Sequence, residues 1–174
     1  SPEELLFDKG VIARKVNKKS LDALCRAGAM EDLIDERFFG DKHFWSAVVV
    51  DKPKNKKRLN ANIEKYKDEG SFSKAEQITN LSTLTGIYPI NMVVPVKAYN
   101  FFELQGIKPL SEYDKELGKG WCIPTSVIQR KTKGGKAYYQ VKAIDLNMKE
   151  MKINCWGVDP TRDFIYPHKL YVLE

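Results

Sequence analysis

Trp121 to Trp156 reads WCIPTSVIQRKTKGGKAYYQVKAIDLNMKEMKINCW, three β-type runs in succession. A basic Thr132-Lys133-Gly134-Gly135 turn joins the first two, and Leu146-Asn147 joins the next two. Paired glycines supply the positive φ that a tight hairpin needs. Strand side chains alternate with a period of two. That period puts Ala137, Tyr139, Val141 and Ala143 on one face and Lys136, Tyr138, Gln140 and Lys142 on the other. In the next run Met151, Ile153 and Cys155 alternate with Lys152, Asn154 and Trp156. The apolar sets predict a barrel interior. The mixed sets predict an outer face whose rings can stack bases and whose cations can follow phosphates.

Working outward, an excursion at Asp159 to Asp163 leads to a fourth run, Lys169 to Leu173. Three strands, an excursion and a further strand make most of an antiparallel OB-type barrel, which needs five. The fifth is expected either beyond Glu174 or from the segment upstream. Upstream the sequence reads helical. Ser1-Pro2-Glu3-Glu4 is a helix start, and the helix it opens should end near Gly10. No initiator Met precedes it, which predicts a piece of a longer chain. Asn17 should cap a helix with Leu21, Leu24 and Cys25 on one face. Gly28 then breaks it before a second helix over Met30, Leu33 and Ile34. His43 to Val50 fits either a helix face or a strand. Asn55 should cap a helix carrying Leu59, Ile63 and Tyr66. Ser73 and Glu76 form a capping box ahead of Ile78, Leu81 and Leu84. A last helix is expected over Lys97 to Gln105. The expected fold is α+β: a helical region over 1–50, a helical and loop connector over 51–118, and the barrel over 119–174.

Composition narrows the function. The formal charge is +6, which fits a nucleic-acid partner without requiring one. No apolar run is long enough to cross a bilayer, and no signal-peptide pattern opens the chain. Cys25, Cys122 and Cys155 are odd in number and widely spaced, unlike a disulfide framework or a zinc site. They fit a reducing cytoplasm. No Asp-x-Asp pair, Gly-rich phosphate loop or Ser/His/Asp set is present. Glu112 and Asp114 are the nearest acidic pair, and His43 and His168 are isolated. No catalytic residue, cofactor or metal is expected.

Three stretches, taken in order, resemble the C-terminal part of bacterial replicative DNA polymerase III alpha subunits, the family C polymerases. Val16 to Leu33, VNKKSLDALCRAGAMEDL, is similar to the segment closing that family's helix-hairpin-helix region. Thr83 to Asn91, TLTGIYPIN, is similar to a shortened form of its segment before the barrel, without the His of Gly-His-Pro. Ile128 to Trp156 is similar to the first three strands of its OB domain, including a run that ends in Asp, here Asp145. The resemblance implies a divergent member, such as a phage-encoded one. It also implies a fragment that holds single-stranded template without polymerising. Its other implied partners are duplex DNA phosphates and a sliding clamp or other replisome subunit. Gln77 to Leu81 is the string closest to the family's clamp-binding peptide, and it lacks the terminal aromatic.

The candidate binding residues follow. Tyr138 and Trp156 are the stacking rings, and Lys136, Lys142 and Lys152 the phosphate contacts. Gln140 and Asn154 can read base edges. Arg130, Lys131, Lys133 and Lys136 make the hairpin basic. Lys15, Lys18, Lys19 and Gly28 form a possible duplex-phosphate contact, since a Gly turn between helices lets backbone N–H groups approach an anion. Lys52 to Arg58, KPKNKKR, is the densest basic run and reads equally as a phosphate contact or a solvated loop. An RNA- or tRNA-binding module and a protein-docking module remain as alternatives for the barrel.

Overall fold

A computed structural model describes residues 1–7, 17–116 and 118–174. The chain divides into two compact units, Ser1–Ile87 and Tyr88–Glu174.

The first unit is helical. Helix α1 spans Pro2–Phe7, and the end expected near Gly10 lies outside the described residues. Helix α2 spans Lys18–Arg26, with the Asn17 side chain accepting from the Ser20 amide at 2.9 Å. Leu21 and Cys25 are buried, but Leu24 is 44% exposed, so the apolar face is narrower than expected. Gly28 turns the chain at φ +79°, and only a single 3-10 turn, Glu31–Leu33, follows. The expected pair of helices is therefore one helix and one turn.

Helix α3 begins at Asp41–Phe44 and widens into a π-helical turn over Trp45–Val50. There the Asp51 amide donates to the Ser46 carbonyl five residues back, at 3.1 Å. The ambiguous apolar run is thus helical. The wide turn also lets the successive residues Ala47, Val48 and Val49 all face the core. Helix α4, Lys56–Lys65, is capped by Asn55 and adds Leu59 to that core. Helix α5, Lys74–Thr85, starts at the full Ser73–Glu76 capping box. Each large apolar side chain fully buried here stabilises the unit by roughly 1.5–3 kcal/mol.

The contacts divide the chain at 87/88, whereas the sequence suggests divisions at 50 and 118. Leu59, Ile63 and Tyr66 pack with the α2–α3 core. Helix α6, Val96–Gln105, instead places Phe102 in a stack with Trp121, ring centroids 5.5 Å apart.

The second unit is built on a curled, half-barrel sheet. Its strands are β1 Lys108–Pro109, β2 Gly120–Lys131, β3 Ala137–Ile144, β4 Met151–Cys155 and β5 Tyr171–Leu173. The long β2 serves two partnerships. Its start pairs antiparallel with β5 (Trp121 opposite Val172) and parallel with β1. Its remainder pairs antiparallel with β3, and β3 with β4. The register shifts between Pro124 and Ser126. A bulge there bends the strand and increases its twist, and proline is tolerated where the ladder is interrupted. Gly120 lies so close to the 3-10 turn Leu110–Glu112 that an added Cβ would meet the Leu110 side chain at 2.9 Å. The upstream segment thus does contribute to the sheet, as the two-residue β1.

The period-two reading holds in position. Tyr139, Val141 and Ala143 are buried with Cys122, and Val127, Met151, Ile153 and Cys155 pack against them. Two turn readings need correction. Only Gly135 takes positive φ in the hairpin, at +81°, because Thr132 closes the loop through its backbone and its hydroxyl. The β3–β4 connection is residues 145–150 rather than two residues, because Asp145 organises it. That carboxylate is wholly buried and accepts from the Ser111 amide at 2.7 Å and the Asn147 amide at 3.0 Å.

Candidate nucleic-acid interface

Register decides which side chains meet on the outer face. Directly paired antiparallel residues project to the same side, with Cβ atoms about 4.5–5.5 Å apart. Ser126, Lys142 and Lys152 form one cross-strand row, and Ile128, Gln140 and Asn154 the next. Arg130 pairs with Tyr138, and Trp156 directly follows Cys155, the partner of Tyr139, to complete a third row. Successive rows are about 7 Å apart, two residues along a strand.

The third row holds the rings. Tyr138 and Trp156 stack on each other, centroids 4.4 Å apart and planes 25° from parallel. The two stacking candidates therefore form one two-ring platform. Tyr138 is half-buried behind the indole, and Trp156 is 60% exposed. A cleft of about 550 Å³ opens beside it, lined by Thr132, Lys136, Ala137, Trp156, Gly157 and Val158. Lys136 thus stands in the hairpin at the mouth of this cleft, one residue before β3. The middle row offers polar amides: among the described residues, neither the Gln140 nor the Asn154 side chain is hydrogen-bonded within the protein.

The charges on this face are nearly uncompensated. Lys142 approaches Glu150 at 3.5 Å, with both side chains about half exposed. Such a pair is worth little in water. Among the described residues, Arg130, Lys131, Lys133, Lys136 and Lys152 have no ion-pair partner. All five are exposed.

The helical candidates fare differently. Lys15 lies outside the described residues. Lys18 directs its ammonium to the Val50 carbonyl at 2.9 Å, while Lys19 is exposed. The Gly28 and Ala29 amides donate to the Cys25 and Leu24 carbonyls at 3.0 and 2.9 Å. They close the end of α2, so the reading of Gly28 as an anion-facing turn loses its donors.

Among the described residues, no group of three or more His, Cys, Asp or Glu side chains could hold a metal ion. Glu112 accepts from the Asn147 side chain, and Asp114 from the Glu116 amide. His43 is wholly buried, held by the Phe39 amide and the Ile63 carbonyl. His168 pairs with the Tyr88 hydroxyl at 2.8 Å, and burial holds its pKa below the usual imidazole value. Burial also pushes the Cys25 thiol up to about 12 and the Cys122 thiol to about 11, as for inert core residues. No helix among the described residues is long and apolar enough to cross a membrane.

What the fold and the face define is a mixed α+β protein with an exposed aromatic, amide and cation grid on one side of a curled sheet. Comparison of the chain with protein-family models, curated proteins and solved structures yields no match.

Proposed function

We propose that the outer face of β2–β4 holds single-stranded nucleic acid, with DNA the intended strand. On this reading the second unit is an OB-type module of the kind found near the C-terminus of family C replicative polymerases. The chain itself binds template and does not polymerise. One observation carries the proposal: the cross-strand grid aligns a two-ring platform, a pair of solvent-facing amides and a pair of lysines on one exposed face. Single strands bind where rings stack bases and cations track the backbone. The connectivity supports the module assignment, since a three-strand meander is followed by a strand returning to the first half of β2. The motif order in the sequence supports the polymerase context.

Fluorescence anisotropy with labelled oligo-dT, competed by oligo-rU, tests the proposal. Preferred dT binding that weakens with salt is the expected result. Preferred rU binding would make this an RNA module, because stacking faces alone do not distinguish the sugars. Binding to neither would end the proposal.

A further inference from the structure

A second concavity in the Tyr88–Glu174 unit has the opposite chemistry. It encloses about 680 Å³ among α6, β1, the start of β2 and the β3–β4 turn. Phe102 and Trp121, stacked at 5.5 Å, are part of its wall, with Leu146 also lining it. Glu103 and Glu112 line it too, with Lys108 as the one lining cation among the described residues. Volume and aromatic lining match cavities that take organic groups. The surrounding segment 103–116 carries four carboxylates against two ammonium groups, whereas segment 128–152 carries seven cations against two carboxylates. The cavity lining thus carries two carboxylates against one ammonium group, while the strand face is basic. Helix α6 also leaves Phe101 55% and Leu104 84% exposed, more apolar area than a solvent-facing helix needs.

We infer that this cavity docks a segment of another protein that inserts one aromatic or large apolar side chain and flanks it with lysine or arginine. Pockets filled by a single aromatic anchor, rimmed by complementary charge, carry most of the affinity of such contacts. The inference stands on the cavity and its charge, and does not depend on the strand face.

The test uses the full chain and a short fluorescein-labelled peptide with a central phenylalanine and alternating lysine and arginine flanks. An alanine-centred version and a glutamate-flanked version are the controls. The expected result is measurable binding of the first peptide, weakened severalfold by the alanine and more by the glutamates. Glu103→Lys should weaken the basic peptide by about fivefold, the factor of one exposed charge pair. Leu146→Arg, at a half-exposed lining position, should weaken it similarly, and both variants should keep the parent's affinity for oligo-dT. No binding, equal binding of either control, or displacement of the peptide by oligo-dT would each overturn the inference.

Discussion

Two basic regions of this chain invite comparison, and the denser is the weaker candidate. Lys52 to Arg58 packs five cations into seven residues. Its Asn55 side chain is already used as the α4 cap, accepting from the Arg58 amide at 2.8 Å. Arg58 and the nearby Lys65 both lean on Asp51, at 3.4 and 3.2 Å. The flanking ring, Tyr66, takes the Lys65 ammonium over its face at 4.5 Å. The strand face has fewer cations per residue, but they alternate with a ring stack and solvent-facing amides at fixed spacing. Charge density alone attracts any polyanion; interleaved rings and amides let a face engage bases.

The largest change expected comes from undoing the geometry that holds the face. Asp145→Ala removes the buried carboxylate that accepts from the Ser111 and Asn147 amides. It should destabilise the protein by about 3–5 kcal/mol, two charge-assisted hydrogen bonds, in urea unfolding. Next is the platform itself. Trp156→Ala should weaken oligo-dT binding by about 1–3 kcal/mol, the range for one stacked base. Tyr66→Ala, beside the denser run, should leave that affinity unchanged. Equal losses at both rings would erase the distinction between the two regions.

Much of this was legible before any coordinates. Alternation in β3 and β4 marked the inner and outer sets because a half-buried strand permits only one face to be apolar. The Asn17 and Asn55 caps and the Ser73–Glu76 box are local chemistry, so local sequence reveals them. Cross-strand register is not local. The stack of Tyr138 on Trp156 depends on how β4 slides along β3, and no single run encodes it. The Asp145 clamp reaches Ser111 across 34 residues, and only its place at the end of a strand hinted at a role. The wide turn at Trp45–Val50 satisfies a helix pattern and a strand pattern equally well until the core around it is known. The contact division at 87/88 is not legible locally for the same reason, since Leu59 reveals its partners only in the packed core.

Two smaller effects sharpen the contrast in stability. Because the partly buried His168 has a lowered pKa, the unfolded chain binds its proton more readily than the folded one. Stability from this group is complete above the ordinary imidazole value near 6.5 and is lost as pH falls through the folded value. Thermal melts from pH 7 to 5 should therefore decline less steeply in His168→Gln than in the parent. In the helical unit, Lys42→Met removes the 2.6 Å pair with Glu76. The pair is partly exposed, so the loss should be the smallest of these, read as a slight fall in the urea midpoint, with oligonucleotide affinity unaltered.

The comparison is tested most directly by the salt dependence of oligo-dT binding in two triple variants, Arg130/Lys142/Lys152→Gln and Lys54/Lys56/Lys57→Gln. Each lost phosphate contact flattens the log–log salt slope by about 0.7 for a single strand. The strand-face variant should lose about 2 units of slope and most of its affinity, while the loop variant keeps the parent's slope. A flattened slope in the loop variant, with the strand-face variant unchanged, would contradict the account.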